Sequence, residues 1–259
     1  MTGISADPYW WKAAPPQDFH IAQWPDRADV VIIGGGYTGF GAAIPLARAG
    51  LDVVVLERDQ IGSGASTRNG GITSGNLRLS FDDLAKRFGA EKATAFYQEA
   101  KAARADLAQF IISEKIDCDL QQCGRLVGAL RPESLDSMKR DAERLTKLLD
   151  IEATVYDRAS LPDYIDTSRY CGGMMRDDIG GIHPAKLLAG MCQIARQASV
   201  KIATQTKVIA VSQQNTSSPA PEFHIETSRG IIHAGHVISA TNAYTDTGQP
   251  WLSRRLVPV

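Results

Sequence analysis

The chain has 259 residues, 44% apolar and 22% charged, with a formal net charge of −1. That is enough chain for two domains, with no basic excess to recruit nucleic acid or acidic lipid. No apolar run approaches the ~20 residues of a membrane helix, and the N-terminus, MTGISADPYWWKAAPP, lacks a charged segment followed by an apolar one, so neither a transmembrane segment nor a signal peptide is expected.

In chain order, residues 1–27 form a leader with Trp10, Trp11 and Trp24 among prolines, expected as an arm packed on the surface. An apolar strand, Asp29 to Ile33, then runs into a glycine turn and a helix starting at Tyr37. A second strand, Asp52 to Leu56, ends on Glu57. Strand, G-x-G-x-x-G turn, helix, strand and acid in this order are the dinucleotide-binding pattern in its required context. Each part has a physical task. Gly34 permits the tight turn, Gly36 lets the backbone approach a pyrophosphate, and Gly39 lets the helix pack on the strand. The helix start at Tyr37 and Thr38 offers N–H groups and a positive dipole end to phosphates. Glu57 can accept hydrogen bonds from ribose hydroxyls and would repel a 2′-phosphate, which argues against NADP. Pro45 removes one N–H inside the helix and is expected to kink it away from the phosphate end.

Residues 58–75, RDQIGSGASTRNGGITSG, are too rich in Gly, Ser and Thr for a helix or central strand. They read as a polar loop that passes near the cofactor, with backbone N–H groups free to face an anion. An NAD-binding unit would go promptly into its second helix, so the loop suits a longer, extended cofactor with a flavin end. Further on, Phe81 to Gly89 is expected as a short helix capped by Ser80, and Ala90 to Lys115 as a long one with Ala93, Phe96, Tyr97, Ala100, Leu107, Phe110 and Ile111 on a core-facing stripe. Leu120 to Leu130 reads as a strand interrupted by Gly124, 133–149 as a helix, and Val155 to Arg176 as irregular. Pro184 starts a helix through Ala198. Lys201 to Thr204, Lys207 to Ser212, Phe223 to Thr227, Gly230 to His233 and His236 to Ser239 read as short strands, with a turn at Thr216 to Pro221.

Together the first motif, GSGASTRNGG (62–71) and ATNAYT (240–245) resemble the FAD-dependent amine and amino-acid oxidoreductases, the D-amino-acid oxidase-like group that includes glycine, sarcosine and γ-glutamylputrescine oxidases. PYWW (8–11), GGIHPAKL (180–187) and RLVPV (255–259) are similar to its γ-glutamylputrescine oxidase and D-amino-acid dehydrogenase branch. The resemblance implies an α/β fold, a Rossmann-like FAD-binding domain of the glutathione-reductase type with an inserted α+β substrate domain. It places the FAD-binding domain at 28–117 and 183–245, and a partial substrate domain at 118–182 and 246–259. Members of the family are longer, so the chain is expected to be an N-terminal portion, inactive by itself. The cofactor implied is FAD, held by Gly34, Gly36, Tyr37, Thr38, Gly39, Glu57, Arg58, Gly64, Ala65, Ser66, Thr67, Arg68, Asn69, Gly70, Gly71, Val208, Ala240 and Thr241. Arg68 is the basic residue expected near the flavin or a substrate carboxylate. The partners implied are a small amine or amino acid and O₂ or another electron acceptor; no catalytic residue is assigned.

The four cysteines form no C-x-x-C pair and suit reduced thiols in a cytoplasmic protein. His233 and His236, three apart, fall on opposite faces of a strand, so no metal site is expected. His183 reads as a residue leading into the helix at Pro184, and Asp177-Asp178 as turn formers. Two other readings stay open: an NAD-linked dehydrogenase, and a non-catalytic nucleotide-binding module.

Overall fold

A computed structural model describes residues 7–214, 222–246 and 250–255. The expected turn at Thr216 to Pro221 and the strand-like run at Leu256 to Val259 lie outside the described residues. The regular elements are β1 (Arg27–Ile33), α1 (Tyr37–Arg48), β2 (Val53–Leu56), β3 (Ile72–Thr73), α2 (Phe81–Phe88), α3 (Ala90–Ser113), β4 (Arg125–Ala129), α4 (Pro132–Leu149), β5 (Ala153–Asp157), β6 (Gly172–Arg176), β7 (Gly180–Gly181), α5 (Pro184–Gln197), β8 (Lys201–Ala203), β9 (Val208–Gln214), β10 (Glu222–Thr227), β11 (Gly230–Ser239) and α6 (Pro250–Ser253). They fall into two compact units, one from Met1–Gly70 with Pro184–Val259 and one from Gly71–His183.

The first unit is an α/β structure built on a six-stranded sheet in the order β8-β2-β1-β11-β10-β9. β1, β2, β8 and the later half of β11 run parallel, while β9 and β10 are antiparallel additions. A parallel sheet is covered on both faces, which is why β1 and β2 are almost continuously apolar. Alternation sends Val31, Ile33, Val54 and Leu56 to one face, where Val208, Ile225 and Ile232 of the antiparallel strands and Trp24 of the leader close over them. Ile32 faces α1, whose Phe40, Ala43 and Ile44 are buried; α1 packs in turn on α5. Fully burying each of these large side chains contributes roughly 1.5–3 kcal/mol. α1 runs through Pro45 to Arg48, and Ala49 still donates to the Pro45 carbonyl at 3.0 Å. β11 is one continuous strand where two short ones are expected, because it pairs with β10 in its first half and with β1 in its second.

The second unit holds a three-stranded antiparallel sheet, β4-β6-β5, a β3–β7 pair and helices α2, α3 and α4. The stretch read as irregular from Val155 to Arg176 contains part of β5 and all of β6. Its Gly172-Gly173 pair hid the strand, yet glycine is what lets the strand lie under α4: a Cβ on Gly172 would come within 2.7 Å of Leu135 and of the Tyr156 carbonyl. The strand expected from Leu120 begins only at Arg125, after Gly124 at φ +74°. α2 is capped as expected, Ser80 Oγ accepting from Asp83 N at 3.2 Å. The stripe on α3 is less buried than expected, with Ala93 and Ile111 buried but Phe96 45% exposed. Asp178 is more than a turn former: it clamps the buried Arg176 through two hydrogen bonds of 2.9 and 2.7 Å.

The unit boundaries differ from the expected domains. Residues 71–117 join 118–183, because Ile72-Thr73 pairs with Gly180-Gly181, and α2 packs on α3, which packs on α4. The leader and the described part of 246–259 join the first unit.

Candidate functional site

A cleft of about 420 Å³ opens in the first unit where β1, β2 and β11 end, lined by Ile33, Leu56 and Ser239 and the turns that follow them. The glycine turn forms its floor. Gly34 has φ +112°, and its N–H donates to the Leu56 carbonyl at 2.8 Å. A Cβ there would lie 2.6 Å from the Ala240 carbonyl oxygen, so the turn and the end of β11 are in contact. A Cβ on Gly39 would overlap the Gly34 carbonyl, which is the close helix-on-turn packing the pattern calls for. Gly36 is the N-cap of α1 and brings no side-chain acceptor to the helix start.

Glu57 sits at the end of β2. Its Oε2 accepts from Gly35 N at 2.8 Å and its Oε1 from Asp59 N at 3.0 Å. A carboxylate has about four lone-pair sites, so acceptor capacity remains for ribose hydroxyls. Arg58 turns to Asp59, Nε to Oδ2 at 3.2 Å.

The polar loop divides by face. Gly62, Ser63, Gly64, Ala65 and Ser66 line the cleft. Ser66 Oγ accepts from the Tyr37 N–H at 3.1 Å and so ties the loop to the start of α1. Thr67, Arg68, Asn69 and Gly70 do not line it. Thr67 is 2% exposed, and its Oγ1 accepts from Trp11 Nε1 at 2.8 Å. Arg68, expected near the flavin or a substrate carboxylate, is held on the side of the leader: its Nε donates to the Ser63 carbonyl at 2.9 Å, and its guanidinium lies 4.6 Å from the centre of the Trp11 ring. Stacking on an indole and a backbone carbonyl satisfy that cation locally. Asn69 Nδ2 closes the turn on the Ser66 carbonyl at 2.9 Å. Gly71 belongs to the second unit, where its carbonyl accepts from Ile182 N at 2.8 Å.

The far wall comes from Val208, Ala240 and Thr241, with neighbours that sequence reasoning missed: Leu188, Thr206, Lys207 and Asn242, and Tyr244 to Asp246 beyond Ala240-Thr241. Val208 reaches the cleft because the antiparallel strands fold back against the parallel ones. Lys207 Nζ pairs with Asp246 Oδ2 at 3.1 Å. Thr241 and Thr245 hydroxyls lie 2.6 Å apart, and Thr245 Oγ1 donates to the Asn242 carbonyl at 2.7 Å. The signal for all of these but Leu188 was their nearness in sequence to Val208 or to Ala240-Thr241; Leu188 comes from α5 and had none.

A glycine floor, a helix start whose N-cap Gly36 brings no side chain of its own and an acid with spare acceptors are the donor and acceptor set of a ribose and a pyrophosphate, so the chain's residues fit an adenine dinucleotide. Elsewhere His233 packs edge-on against His224 at 5.2 Å, with Nδ1 4.0 Å from Glu222 Oε1, itself paired with Arg27 at 2.7 Å. Among the described residues no group of three or more His, Cys, Asp or Glu is placed to hold a metal, and no helix is long and apolar enough to cross a membrane.

The parallel sheet and the cleft at its glycine turn define a dinucleotide-binding fold of the flavoprotein type. Residues 29–259 match the family described as DAO, FAD dependent oxidoreductase; the chain belongs to that family, whose cofactor is FAD. It is 31% identical over 231 residues to gamma-glutamylputrescine oxidoreductase of Escherichia coli, covering 89% of this chain and 53% of that protein. It is 30% identical to a probable oxidoreductase, OrdL, of Rhizobium meliloti, covering 99% of this chain and 59% of that one. The chain thus spans between half and three-fifths of these relatives' length. Among solved structures, glycine oxidase from Geobacillus kaustophilus superposes with a TM-score of 0.72 at 20% identity, over 88% of this chain and 59% of that one. L-amino acid deaminase from Proteus vulgaris gives 0.69 at 21%, over 90% and 52%.

Proposed function

We propose that the protein oxidises the C–N bond of a small amine or amino acid, with FAD held in the cleft of the first unit. The observation that carries the reading is the convergence of Gly34, Gly36, the start of α1, Glu57 and Ser66 on one cleft in a chain of this family. Glu57 accepts from the ribose hydroxyls. The backbone N–H groups of Gly36 and Thr38 face the pyrophosphate, with Ser66 beside them. Val208 contacts the adenine through its backbone, and Ala240 and Thr241 bound the cofactor on the other side. Arg58, Gly64 and Ala65 complete the wall. Thr67, Arg68 and Asn69 act from behind by holding the loop's shape. FAD, when bound, supplies the oxidant for a carbon that carries nitrogen and passes the electrons to O₂ or another acceptor; the resulting imine hydrolyses in water. The amine substrate is supported by the likeness to gamma-glutamylputrescine oxidoreductase. A cytoplasmic setting is supported by a sequence whose cysteines form no C-x-x-C pair and suit reduced thiols.

The test is the absorbance spectrum of the purified protein and its titration with FAD and NADH. Flavin bands or tight FAD uptake are expected; a colourless protein that binds NADH and not FAD overturns the reading. The proposal includes that 1–259 alone binds FAD without turnover. Peroxide release and dye reduction with amines and D-amino acids check this, 1–259 being assayed beside a longer version; equal rates refute it.

A further inference from the structure

We propose that Trp11 of the leader is a positioning residue for FAD, acting through Thr67 on the loop segment that lines the cofactor cleft. This rests on the cofactor reading above.

Residues 60–69 have two faces. Gly62 to Ser66 line the cleft, and the opposite face is covered by the leader. Gln17 and Ile61 exchange both backbone hydrogen bonds, at 2.9 and 2.8 Å. Trp10 Nε1 donates to the Asn69 carbonyl at 2.8 Å, and Asp18 Oδ2 accepts from Gln60 Nε2 at 2.7 Å. The leader is therefore attached at both ends of the loop.

Thr67 is where this attachment meets the segment that lines the cleft. Its hydroxyl receives the Trp11 indole N–H and gives its own proton to the Gly62 carbonyl. Gly62 has φ +96° and opens the cleft-lining segment, and Thr67 directly follows its last residue, Ser66. The relay Trp11 to Thr67 to Gly62 thus pins both ends of that segment. Between those ends lies Ser66, which holds the first N–H of α1 at 3.1 Å. Thr67 is 2% exposed, so water cannot readily replace the indole as donor. Arg68 over the Trp11 ring holds the indole from its other side. A loop fixed before the ligand arrives binds more tightly than one ordered on binding.

The measurement is FAD affinity of the full 259-residue protein by flavin fluorescence, with apoprotein melting temperature beside it. Trp11→Phe keeps a smaller ring for Arg68 and removes the donor; it should weaken FAD binding about five- to twentyfold. Thr67→Val should do the same and Thr67→Ser should restore near-normal affinity. The double variant should be no worse than the weaker single one, as for two residues in one relay. Trp24→Phe is the control: Trp24 is also in the leader, but its indole donates to the Ile231 carbonyl at 3.0 Å, away from the loop. It should lower melting temperature without changing FAD affinity. Wild-type affinity in Trp11→Phe, a loss no larger than that of Trp24→Phe, or additive losses in the double variant overturn the proposal. Should Trp11→Phe not fold, the Thr67→Val and Thr67→Ser pair decides it by the same criterion. Failure of the wild type itself to take up FAD refutes the cofactor reading, and this inference with it.

Discussion

Glu57 does two jobs with one carboxylate. It offers acceptors toward the cleft and also holds the N–H groups of Gly35 and Asp59. Glu57→Ala should therefore lower FAD affinity about ten- to a hundredfold, since charge-assisted hydrogen bonds contribute roughly 1.5–3 kcal/mol. Part of that loss will come from the loosened glycine turn. Equilibrium titration checks it, and unchanged affinity would place the ribose elsewhere. The first job was legible in the sequence, because the acid's spacing from the glycines announces it; the second was not, because it depends on how the turn folds back. Arg68 shows the same limit. Its neighbours in sequence suggested a cofactor contact, but its stacking partner Trp11 lies in the leader. The thiols offer a separate check. Burial pushes the Cys192 thiol up to about 12, while Cys123 is exposed. At pH 8 Cys192 should stay protonated and unreactive in the folded protein, and the exposed Cys123 should be open to labelling reagent. Equal labelling of both would contradict the burial.

At the scale of elements, the glycines of the turn should not be equivalent. An added Cβ on Gly39 meets the Gly34 carbonyl, and one on Gly34 meets the Ala240 carbonyl with φ already at +112°. Both obstacles are backbone, so Gly34→Ala and Gly39→Ala should each cost about 1–3 kcal/mol of stability and lose FAD binding. Gly36→Ala meets only Ser66 Oγ, at 2.8 Å, a side chain that can turn away. It should keep the fold and weaken FAD alone. Melting curves of the three apoproteins decide the order, and a Gly36→Ala as unstable as Gly39→Ala would contradict it. The β1–α1–β2 unit was readable because its signals are local. β6 was not, because Gly172 looks like a breaker until Leu135 of α4 is seen to rest on it. The relay through Thr67 joins residues 56 apart, a separation that no window of sequence reports.

For the molecule as a whole, the break after Gly70 has a thermodynamic consequence. The first unit gathers its sheet from both ends of the chain, and every residue that lines the cleft belongs to it. The second unit has its own sheet and its own apolar cluster of Leu145, Leu149 and Ile151. A ligand that binds only the native first unit stabilises that unit by mass action, by about 2.7 kcal/mol at a hundred times its dissociation constant. For a unit of about 150 residues this corresponds to a rise of roughly 5–10 °C in its transition. Differential scanning calorimetry with and without FAD should therefore show one transition moving by that amount and a second left in place. NADPH at equal excess should move neither, because Glu57 and Asp59 face any 2′-phosphate. A single transition that moves as one would mean that the two units unfold together, and the shift would then shrink with the larger unfolding entropy. Two transitions, neither of which moves at saturating FAD, would remove the cofactor from the cleft.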